Sequence, residues 1–402
     1  MNFPLYIAKR YLFSKSSNNT INIITIIASI GVIIGTLALF IVLSGFSGLR
    51  TFSIGFLNTA DPDIKITSVK GKSFLLTSEI QDNIESQNNI ASYTKVIEER
   101  AFFEFNKKTH IAYIKGVDIN YTKVNSIDST VYVGTWLDQE IPIGAVVGNG
   151  ISNVLSVGVF DFLEPLKIYV PKPGKGYATN PKDAFNQIET QPIGIFSLTE
   201  EIDRKYTFIS LELAQILLNY EPEQISAIEL KVKNLKDRDE TIAALKINLG
   251  TDFNIETREQ LNAVFYKMLN TENLASYLIF TLILIIALFN VIGAIIMMIL
   301  DKKDNLKTLY NLGATIKDIK RVFILQGFLL SLFGLFIGLS IGIILVLLQK
   351  KYALFMITQH LAYPVELTLF NVLSVVITIL VLGYLASLIA SSRISKDLVE
   401  SP

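Results

Sequence analysis

Long apolar runs interrupted by polar segments are the most regular feature of this chain. Four stretches contain no Asp, Glu, Lys or Arg: Ile21–Leu49, Asn273–Leu300, Val322–Gln349 and Leu367–Ser392. A helix needs roughly 20 apolar residues to cross the ~30 Å hydrocarbon layer of a bilayer. The pattern therefore predicts four transmembrane helices. The first run is longer than the roughly 7–15-residue apolar core of a signal peptide, so it is predicted to be an uncleaved span.

Basic residues lie mainly at one set of span ends. They precede the first span, fill the segment between the second and third spans, and follow the fourth span in 393–396. Cytoplasmic loops carry an excess of Lys and Arg. Both termini and the middle segment are therefore predicted to be cytoplasmic, with residues 50–272 on the other side. The short connection 350–366 then lies outside as well, although it contains Lys350 and Lys351.

The segments between the spans have distinct predicted roles. Residues 1–20 mix aromatic and basic side chains, which is typical of a helix in the membrane interface, although a simple basic flank is the alternative. Residues 50–272 are long enough to bury a core. They contain strand and helix patterns at 50–119 and 201–272, separated by a Gly- and Pro-rich stretch at 120–200. The predicted fold is an α-helical membrane protein with four transmembrane helices plus a large α/β domain carrying a β-rich insertion.

Composition removes several classes of function. The formal net charge is zero, which argues against a nucleic-acid surface. There is no cysteine and there are two histidines, so neither disulfides nor a His/Cys metal cluster is expected. The tripeptide Gly71–Ser73 lacks the earlier glycine of a phosphate-binding loop, because Ile66 stands there. We predict no catalytic residue, no cofactor-binding residue and no ATPase site in this chain.

The basic segment between spans two and three has helical periodicity. Leu306, Leu309, Tyr310 and Gly313 follow i, i+3, i+4, i+7 spacing. Gly313 suits the left-handed residue that ends a helix. The next residues, Thr315–Asp318, fit a capping box. The pattern predicts a short helix at 301–314 and a second helix that continues at 315–349 as span three. The short helix either docks on a cytoplasmic partner or rests on lipid head groups.

Small residues recur at four-residue spacing inside the spans, where they let helix backbones approach closely. Packing within one chain and packing between subunits both remain open for them. A polar residue in span two is predicted to form a hydrogen bond between helices, because an unpaired amide in lipid is costly. The predicted packing residues are Gly31, Gly35, Asn290, Gly334, Gly338 and Gly342.

A proline-rich segment stands out in the β-rich insertion. Val170–Pro192 holds four prolines and two glycines and has little apolar content. A loop of this length is either a solvated connection or a functional element.

Four stretches resemble the LolC/LolE family, the permeases of lipoprotein-releasing ABC transporters, within a wider class of macrolide-exporter-type and FtsX-type proteins. They are YIAKRYLFSK with the first span, YIKGVD, YTFISLELAQILLN with ISAIELKVKN, and Ala287–Leu330. The resemblance extends over nearly the full chain. It implies an inner-membrane subunit of a Gram-negative bacterium, with a periplasmic domain at 50–272.

The resemblance also implies partners. They are a cytoplasmic ABC ATPase dimer that binds ATP and Mg²⁺, a second permease (identical or paralogous), an acylated lipoprotein and, in some members, a periplasmic lipoprotein carrier. The helix at 301–314 corresponds to the family's coupling helix. The implied ATPase-coupling residues are Lys302, Leu306, Leu309, Tyr310, Gly313 and Ala314.

Two further sets of residues follow from the same resemblance. The lipoprotein is expected to enter along the first two spans, where the predicted groove residues are Phe40, Phe46, Phe280 and Phe289. The proline-rich segment lies where the family's carrier-docking loop should be, with predicted contacts Pro171, Lys172, Pro173, Gly174, Tyr177 and Pro181. The alternatives are a drug or peptide export permease working with a periplasmic adaptor, a non-transporting FtsX-type signal relay, and a receptor.

Overall fold

The computed structural model describes residues 3–13, 19–138, 140–159, 164–172, 184–358 and 361–395. The chain divides into two compact units. We call Met1–Ser53 with Phe265–Pro402 the helical unit, and Ile54–Val264 the sheet unit.

The described residues form thirteen α-helices, named here in chain order. They are α1 (Phe3–Phe13), α2 (Asn19–Ala60), α3 (Ser78–Glu85), α4 (Tyr121–Val124), α5 (Asn149–Leu155), α6 (Glu200–Lys205), α7 (Leu211–Leu218), α8 (Arg238–Leu249), α9 (Arg258–Leu261), α10 (Ala263–Asp301), α11 (Lys303–Asn311), α12 (Ile316–Tyr352) and α13 (Leu369–Ser391).

The same part of the chain forms fourteen strands. They are β1 (Ile64–Ser68), β2 (Phe74–Leu75), β3 (Ile90–Phe105), β4 (Lys108–Val117), β5 (Val131–Gly134), β6 (Gly144–Gly148), β7 (Leu166–Pro171), β8 (Phe185–Phe196), β9 (Tyr206–Ser210), β10 (Gln224–Ile225), β11 (Ala227–Val232), β12 (Phe253–Thr257), β13 (Met356–Thr358) and β14 (Leu361–Ala362).

Within the described residues, four helices are long and apolar enough to cross a membrane: α2, α10, α12 and α13. Each contains most or all of one predicted span. The first three continue well beyond their uncharged runs, since α2 and α10 have 42 and 39 residues and α12 has 37. Flanks of mixed polar and apolar residues extend these helices past the roughly 20 residues that lipid requires.

Helix α12 is packed on one side by α2 through a stripe of glycines. A Cβ atom on Gly338 would lie 2.5 Å from the carbonyl oxygen of Ile33 and 2.8 Å from Cβ of Thr36. Gly334 and Gly342 approach Val32 and Phe40 as closely. These three glycines therefore pack within the chain, the first of the two options that the sequence left open. Gly35 is buried in α2 and Gly31 is half-buried.

Helix α1 packs on α12 within the same unit. Pro4 and Ala8 on one face of α1 are buried, and the Tyr11 ring lies 6.3 Å from the Phe323 ring. Phe3, Leu5 and Tyr6 remain exposed on the other side. The amphipathic pattern predicted at the N-terminus thus forms a separate helix.

The sheet unit is built on one ten-stranded sheet in the order β12-β1-β11-β3-β4-β9-β6-β8-β5, with β7 paired to both β3 and β8. The pairs β4–β9 and β6–β8 are parallel, and the other pairs of this sheet are antiparallel. The strands of 120–200 therefore belong to the same sheet as their flanks. The link is made by β3, 16 residues long, which reaches β7 through Phe102–Glu104, and by β9, which pairs with β6.

Candidate coupling helix and its supports

An ion pair stabilises the turn at which helix α11 begins. Lys302 is its N-cap residue, and its Nζ lies 2.9 Å from Oδ2 of Asp301. Asp304 lies in the first turn, where the helix dipole favours a carboxylate. Lys302, predicted to contact an ATPase, is thus already paired within this chain.

The apolar stripe of α11 packs on the core of the helical unit. Leu306 is 1% exposed within that core, and Leu309, Tyr310 and Ala314 are partly buried against it. Burial of the stripe fixes how α11 is rotated. The expectation that Leu306 offers a contact surface is therefore corrected, because its side chain is an anchor within its own chain. Leu309 and Tyr310 keep part of their surface accessible.

The end of α11 is set by a glycine. Gly313 has a φ of +99°, in the left-handed region. Its N–H donates to the carbonyl of Tyr310 at 2.9 Å, and the N–H of Ala314 donates to that of Leu309 at 3.0 Å. These two bonds form a Schellman motif, as the sequence predicted for a terminating glycine.

Helix α12 starts two residues later with the predicted capping box. The N–H of Asp318 donates to Oγ1 of Thr315 at 3.2 Å, and the N–H of Thr315 donates back to Oδ2 of Asp318 at 3.2 Å. Only Gly313 and Ala314 separate this box from the C-cap Leu312 of α11. The connection between the short surface helix and the long membrane helix is therefore short and has little conformational freedom.

Sequence periodicity missed the most exposed apolar residue of this region. Leu312 is 80% exposed, and its neighbours Asn305, Thr308 and Asn311 also face outward. Leu312 does not follow the spacing of the buried stripe. The sequence signal that could have identified Leu312 is its position: it lies outside the spacing of the buried stripe and directly precedes the terminating glycine.

The four predicted groove residues differ in their surroundings, although Phe40 and Phe280 belong to the same core of the helical unit. Phe40 is fully buried against Gly342, and Phe280 packs on the core of the helical unit. Phe289 is 64% exposed on α10. Phe46 lines a cavity of about 280 Å³ in the helical unit.

That cavity is bounded by charged and polar groups from three helices and from the connection that precedes α13. Besides Phe46, its lining includes Arg50, Glu272, Glu366 and Asn371. Asn371 donates to Oγ of Ser47 at 2.8 Å and to the carbonyl of Leu43 at 3.1 Å. The cavity can thus admit a group with both apolar and hydrogen-bonding parts.

Asn290 is exposed on α10, next to Phe289. Within the described residues its side chain has no hydrogen-bond partner, so the bond predicted between helices is not formed inside this chain.

The predicted carrier loop is described only at its base. Pro171 pairs with Phe185 at the end of the β7–β8 hairpin, and the N–H of Lys172 donates to the carbonyl of Ala184 at 2.9 Å. Pro173, Gly174, Tyr177 and Pro181 lie outside the described residues.

The sheet unit contains a buried ionic cluster around Glu229. Glu229 of β11 is fully buried, with Oε1 lying 2.8 Å from Nζ of Lys115 and Oε2 accepting from Asn125 at 2.6 Å. Burial opposes the charge of Lys115, but Glu229 outweighs it and raises the pKa of Lys115. The cluster joins β4 to β11. No group of three or more His, Cys, Asp and Glu that could hold a metal occurs among the described residues.

A second polar cluster closes the base of the sheet unit. Nη2 of Arg258 lies 2.8 Å from Oδ1 of Asp63 and donates to the carbonyl of Asp61 at 3.0 Å. Its Nη1 donates to Oδ1 of Asn58 at 2.6 Å, and Asn262 donates to Oδ2 of Asp61 at 2.8 Å. Burial raises the pKa of Asp61. We call these five residues the Arg258 clasp. It ties the segment entering the sheet unit to the one leaving it.

Comparison with known proteins shows which families this chain resembles. The FtsX-like permease C-terminal family matches residues 277–398, which include α11 and α12. Lipoprotein-releasing system transmembrane protein LolE of Haemophilus influenzae is 26% identical, over 98% of each chain. LolC of Buchnera aphidicola subsp. Schizaphis graminum is 25% identical, over 96% of this chain and 94% of its own. LolC of Haemophilus influenzae is 23% identical, over 98% of each chain.

Among solved structures, the periplasmic region of MacB from Actinobacillus actinomycetemcomitans is similar at a TM-score of 0.35 and 14% identity. The match covers 50% of this chain and 92% of that region, and is too weak to support an argument. The FtsX-like match spans α11 and α12. Along nearly its whole length, the chain is similar to the LolE and LolC proteins of lipoprotein-releasing systems.

Proposed function

We propose that this chain is the permease subunit of an ABC transporter that extracts lipoproteins from the outer leaflet of the inner membrane for transfer to the outer membrane. A separate ATPase dimer binds ATP and Mg²⁺ and drives the cycle. The proposal draws on the lipoprotein-releasing names of relatives aligned along nearly the whole chain. Drug export and an FtsX-type relay are not favoured, because these full-length relatives carry neither name.

The observation that carries the mechanism is the joint between α11 and α12. A Schellman glycine and a capping box leave two residues between a surface helix and a helix of 37 residues, about 56 Å long at 1.5 Å per residue. A displacement applied to α11 is therefore delivered to α12 without being absorbed by a flexible loop. Through its glycine stripe α12 packs on α2, so the movement reaches a second membrane helix.

The physical task fits this arrangement. Each buried CH₂ of an acyl chain is worth about 0.8 kcal/mol, so moving several long chains through water costs on the order of tens of kcal/mol. Extraction therefore needs an energy source, an amphipathic receiving site and a shielded route. The proposed topology puts both termini and α11 in the cytoplasm and the sheet unit in the periplasm. The cavity at Phe46 and Arg50 offers apolar and polar walls where a lipid-modified chain would leave the bilayer.

Two assignments extend the proposal. A second permease, identical or paralogous, completes the transporter. The β7–β8 hairpin, whose base is at Lys172 and Ala184, is the proposed docking element for a periplasmic lipoprotein carrier.

The proposal is tested by introducing a charged side chain at the exposed end of α11. Leu312→Glu should weaken docking of the ATPase, because a carboxylate would replace the most exposed apolar side chain there. A lost hot-spot contact of about 2 kcal/mol corresponds to roughly 30-fold weaker binding. Co-purification of the ATPase and release of lipoprotein from proteoliposomes are measured together.

Matched variants separate docking from folding. Ile247→Glu introduces the same charge at a position of similar exposure in the sheet unit and should leave both measurements unchanged. Leu306→Ala should lower thermal stability, because that side chain is buried. Wild-type ATPase binding and wild-type lipoprotein release by a well-folded Leu312→Glu protein would exclude α11 as the coupling element.

A further inference from the structure

The connection between α12 and α13 presents an unusual apolar surface. Leu354, Phe355, Met356 and Ile357 are all exposed, with Phe355 at 73%. They lie just after α12 and in strand β13, which pairs with β14 through Met356 and Ala362. We call residues 353–358 and 361–368 the outer hairpin. Four consecutive exposed apolar side chains are an unfavourable arrangement in water.

The hairpin is held firmly by one buried side chain. Oε1 of Gln349 accepts from the N–H of Phe355 at 2.8 Å, and its Nε2 donates to the carbonyls of Phe355 at 2.8 Å and Tyr363 at 3.1 Å. The N–H of Tyr363 also donates to the carbonyl of Phe355 at 2.9 Å. Gln349 precedes the end of α12 at Tyr352, so the chain folds back toward the helix after leaving it.

Contacts with α2 fix the position of the outer hairpin along that helix. The Tyr363 ring would lie 3.3 Å from a Cβ atom on Gly45, and the backbone of Pro364 lies against Gly48. The N–H of Glu366 donates to the carbonyl of Ser44 at 3.0 Å. Ser44, Gly45 and Gly48 belong to the uncharged run of α2, which continues as a helix to Ala60. The outer hairpin thus lies beside the last turns of a membrane span.

The surface around the hairpin has the chemistry of a membrane boundary. Lys350 and Lys351 occupy the last turn of α12, and Nζ of Lys351 lies 5.2 Å from the centre of the Tyr352 ring. Basic and aromatic side chains are enriched at that boundary. On the other side, Leu369 and Phe370 begin the exposed apolar face of α13. The hairpin surface is therefore continuous with surfaces that face lipid.

We propose that the outer hairpin is a membrane-interface element that buries Leu354, Phe355, Met356 and Ile357 in the outer leaflet. Its partner is the lipid surface and not a protein. The rigid frame supplied by Gln349 holds these side chains in place, so the hairpin inserts as a preformed wedge beside α2 and α13. The inference does not depend on what the transporter carries.

The chain has no cysteine, so a single one can be labelled without altering native residues. Phe355→Cys is labelled with an environment-sensitive fluorophore in the full-length protein with its partners in lipid nanodiscs. Quenching by iodide in water is compared with quenching by doxyl groups at shallow and deep positions of the lipid. Ile377→Cys, exposed on α13, is the lipid control, and Ile247→Cys in the sheet unit is the water control.

The proposal predicts blue-shifted emission at Phe355→Cys, strong quenching by the shallow doxyl lipid and protection from iodide. Met356→Cys serves as a second label and should give the same result. Iodide quenching equal to that of Ile247→Cys would show that the hairpin is in water and would overturn the proposal. Protection from both iodide and doxyl lipids would place the hairpin against protein and would overturn it as well.

Discussion

At the scale of single residues, close contacts and buried charges make this chain sensitive to small changes. The glycines of α12 that face α2 have no room for a Cβ atom, whereas Gly293 on α10 has no heavy atom within 4 Å of that position. The same residue type therefore has opposite tolerance at two sites in membrane helices.

Replacing Gly338 tests that contact. Gly338→Ala should destabilise the protein by about 1–3 kcal/mol, because the new methyl group meets the backbone of Ile33 and the side chain of Thr36. Gly293→Ala should be neutral or stabilise by up to about 1 kcal/mol through helix propensity. Thermal unfolding in detergent measures both. Equal changes in thermal stability for the two variants would contradict the observed packing of α12 on α2.

Charge effects at the residue scale centre on Glu98. Burial opposes its ionisation, but Lys65 at 3.0 Å, Lys115 and the hydroxyl of Tyr206, which donates at 2.7 Å, lower the pKa of Glu98 from 4.5 to about 2. The ionised form of Glu98 is therefore stabilised more in the folded state than in the unfolded state. Its stabilisation is complete above about pH 4.5 and is lost as the pH falls toward 2.

Glu98→Gln should therefore lower stability at pH 7 by up to about 3 kcal/mol, and the loss should shrink on acidification toward pH 2. The chain has one tryptophan, Trp136, whose ring stacks 6.2 Å from Tyr121 in the sheet unit. Its fluorescence follows unfolding of this unit. Glu200→Gln removes an exposed pair with Arg204 and should change little at either pH. An unchanged acid profile in Glu98→Gln would refute the assignment.

At the scale of elements, the joint after α11 depends on backbone conformation alone. A Cβ atom on Gly313 would have no heavy atom within 4 Å, so a side chain there meets no steric obstacle, only the left-handed backbone. A residue other than Gly or Asn is disfavoured by roughly 1–2 kcal/mol in this conformation.

Gly313→Ala should therefore weaken the joint by about 1 kcal/mol and reduce lipoprotein release for each ATP hydrolysed. Gly313→Asn should stay close to the wild type, because Asn tolerates left-handed conformations. Gly55→Ala, on an open face of α2, is the helix control. The ratio of release to ATP hydrolysis in proteoliposomes is the measurement. A lower ratio in Gly313→Asn than in Gly313→Ala would rule out this conformational explanation.

At the scale of the whole molecule, the Arg258 clasp fixes the two ends of the sheet unit to one another. Arg258→Lys keeps the charge but cannot reproduce a fork that reaches Asp63, Asn58 and the Asp61 carbonyl together. Lost hydrogen bonds to a charged group cost about 1.5–3 kcal/mol each. We expect faster hydrogen exchange at 57–63 and 258–262, with the centre of the sheet still protected.

Arg204→Lys, in an exposed ion pair, is the matched control and should leave exchange unchanged at both segments. If exchange rose throughout the sheet unit in Arg258→Lys, the clasp would be a general support of the fold and not a local tie between its two ends.

Features that depend on neighbouring residues could be predicted from the amino-acid sequence. Apolar runs longer than a bilayer located the membrane helices, and a glycine followed by Thr315 and Asp318 located the joint after α11. Thr77, which directly precedes a first turn containing Glu79, likewise caps α3. Such signals lie within a few residues of the structures they specify, because helix caps and turns are made by local hydrogen bonds.

Which faces of the helices and strands are buried became clear only from the three-dimensional fold. It buried Leu306 and left Leu312 outside, although both are leucines of one short segment. It placed Glu229 against Lys115 from a strand distant in sequence, and joined the strands of 120–200 to their flanks in one sheet through β3 and β9. These outcomes depend on contacts between residues far apart in the chain, and local periodicity contains no information about them.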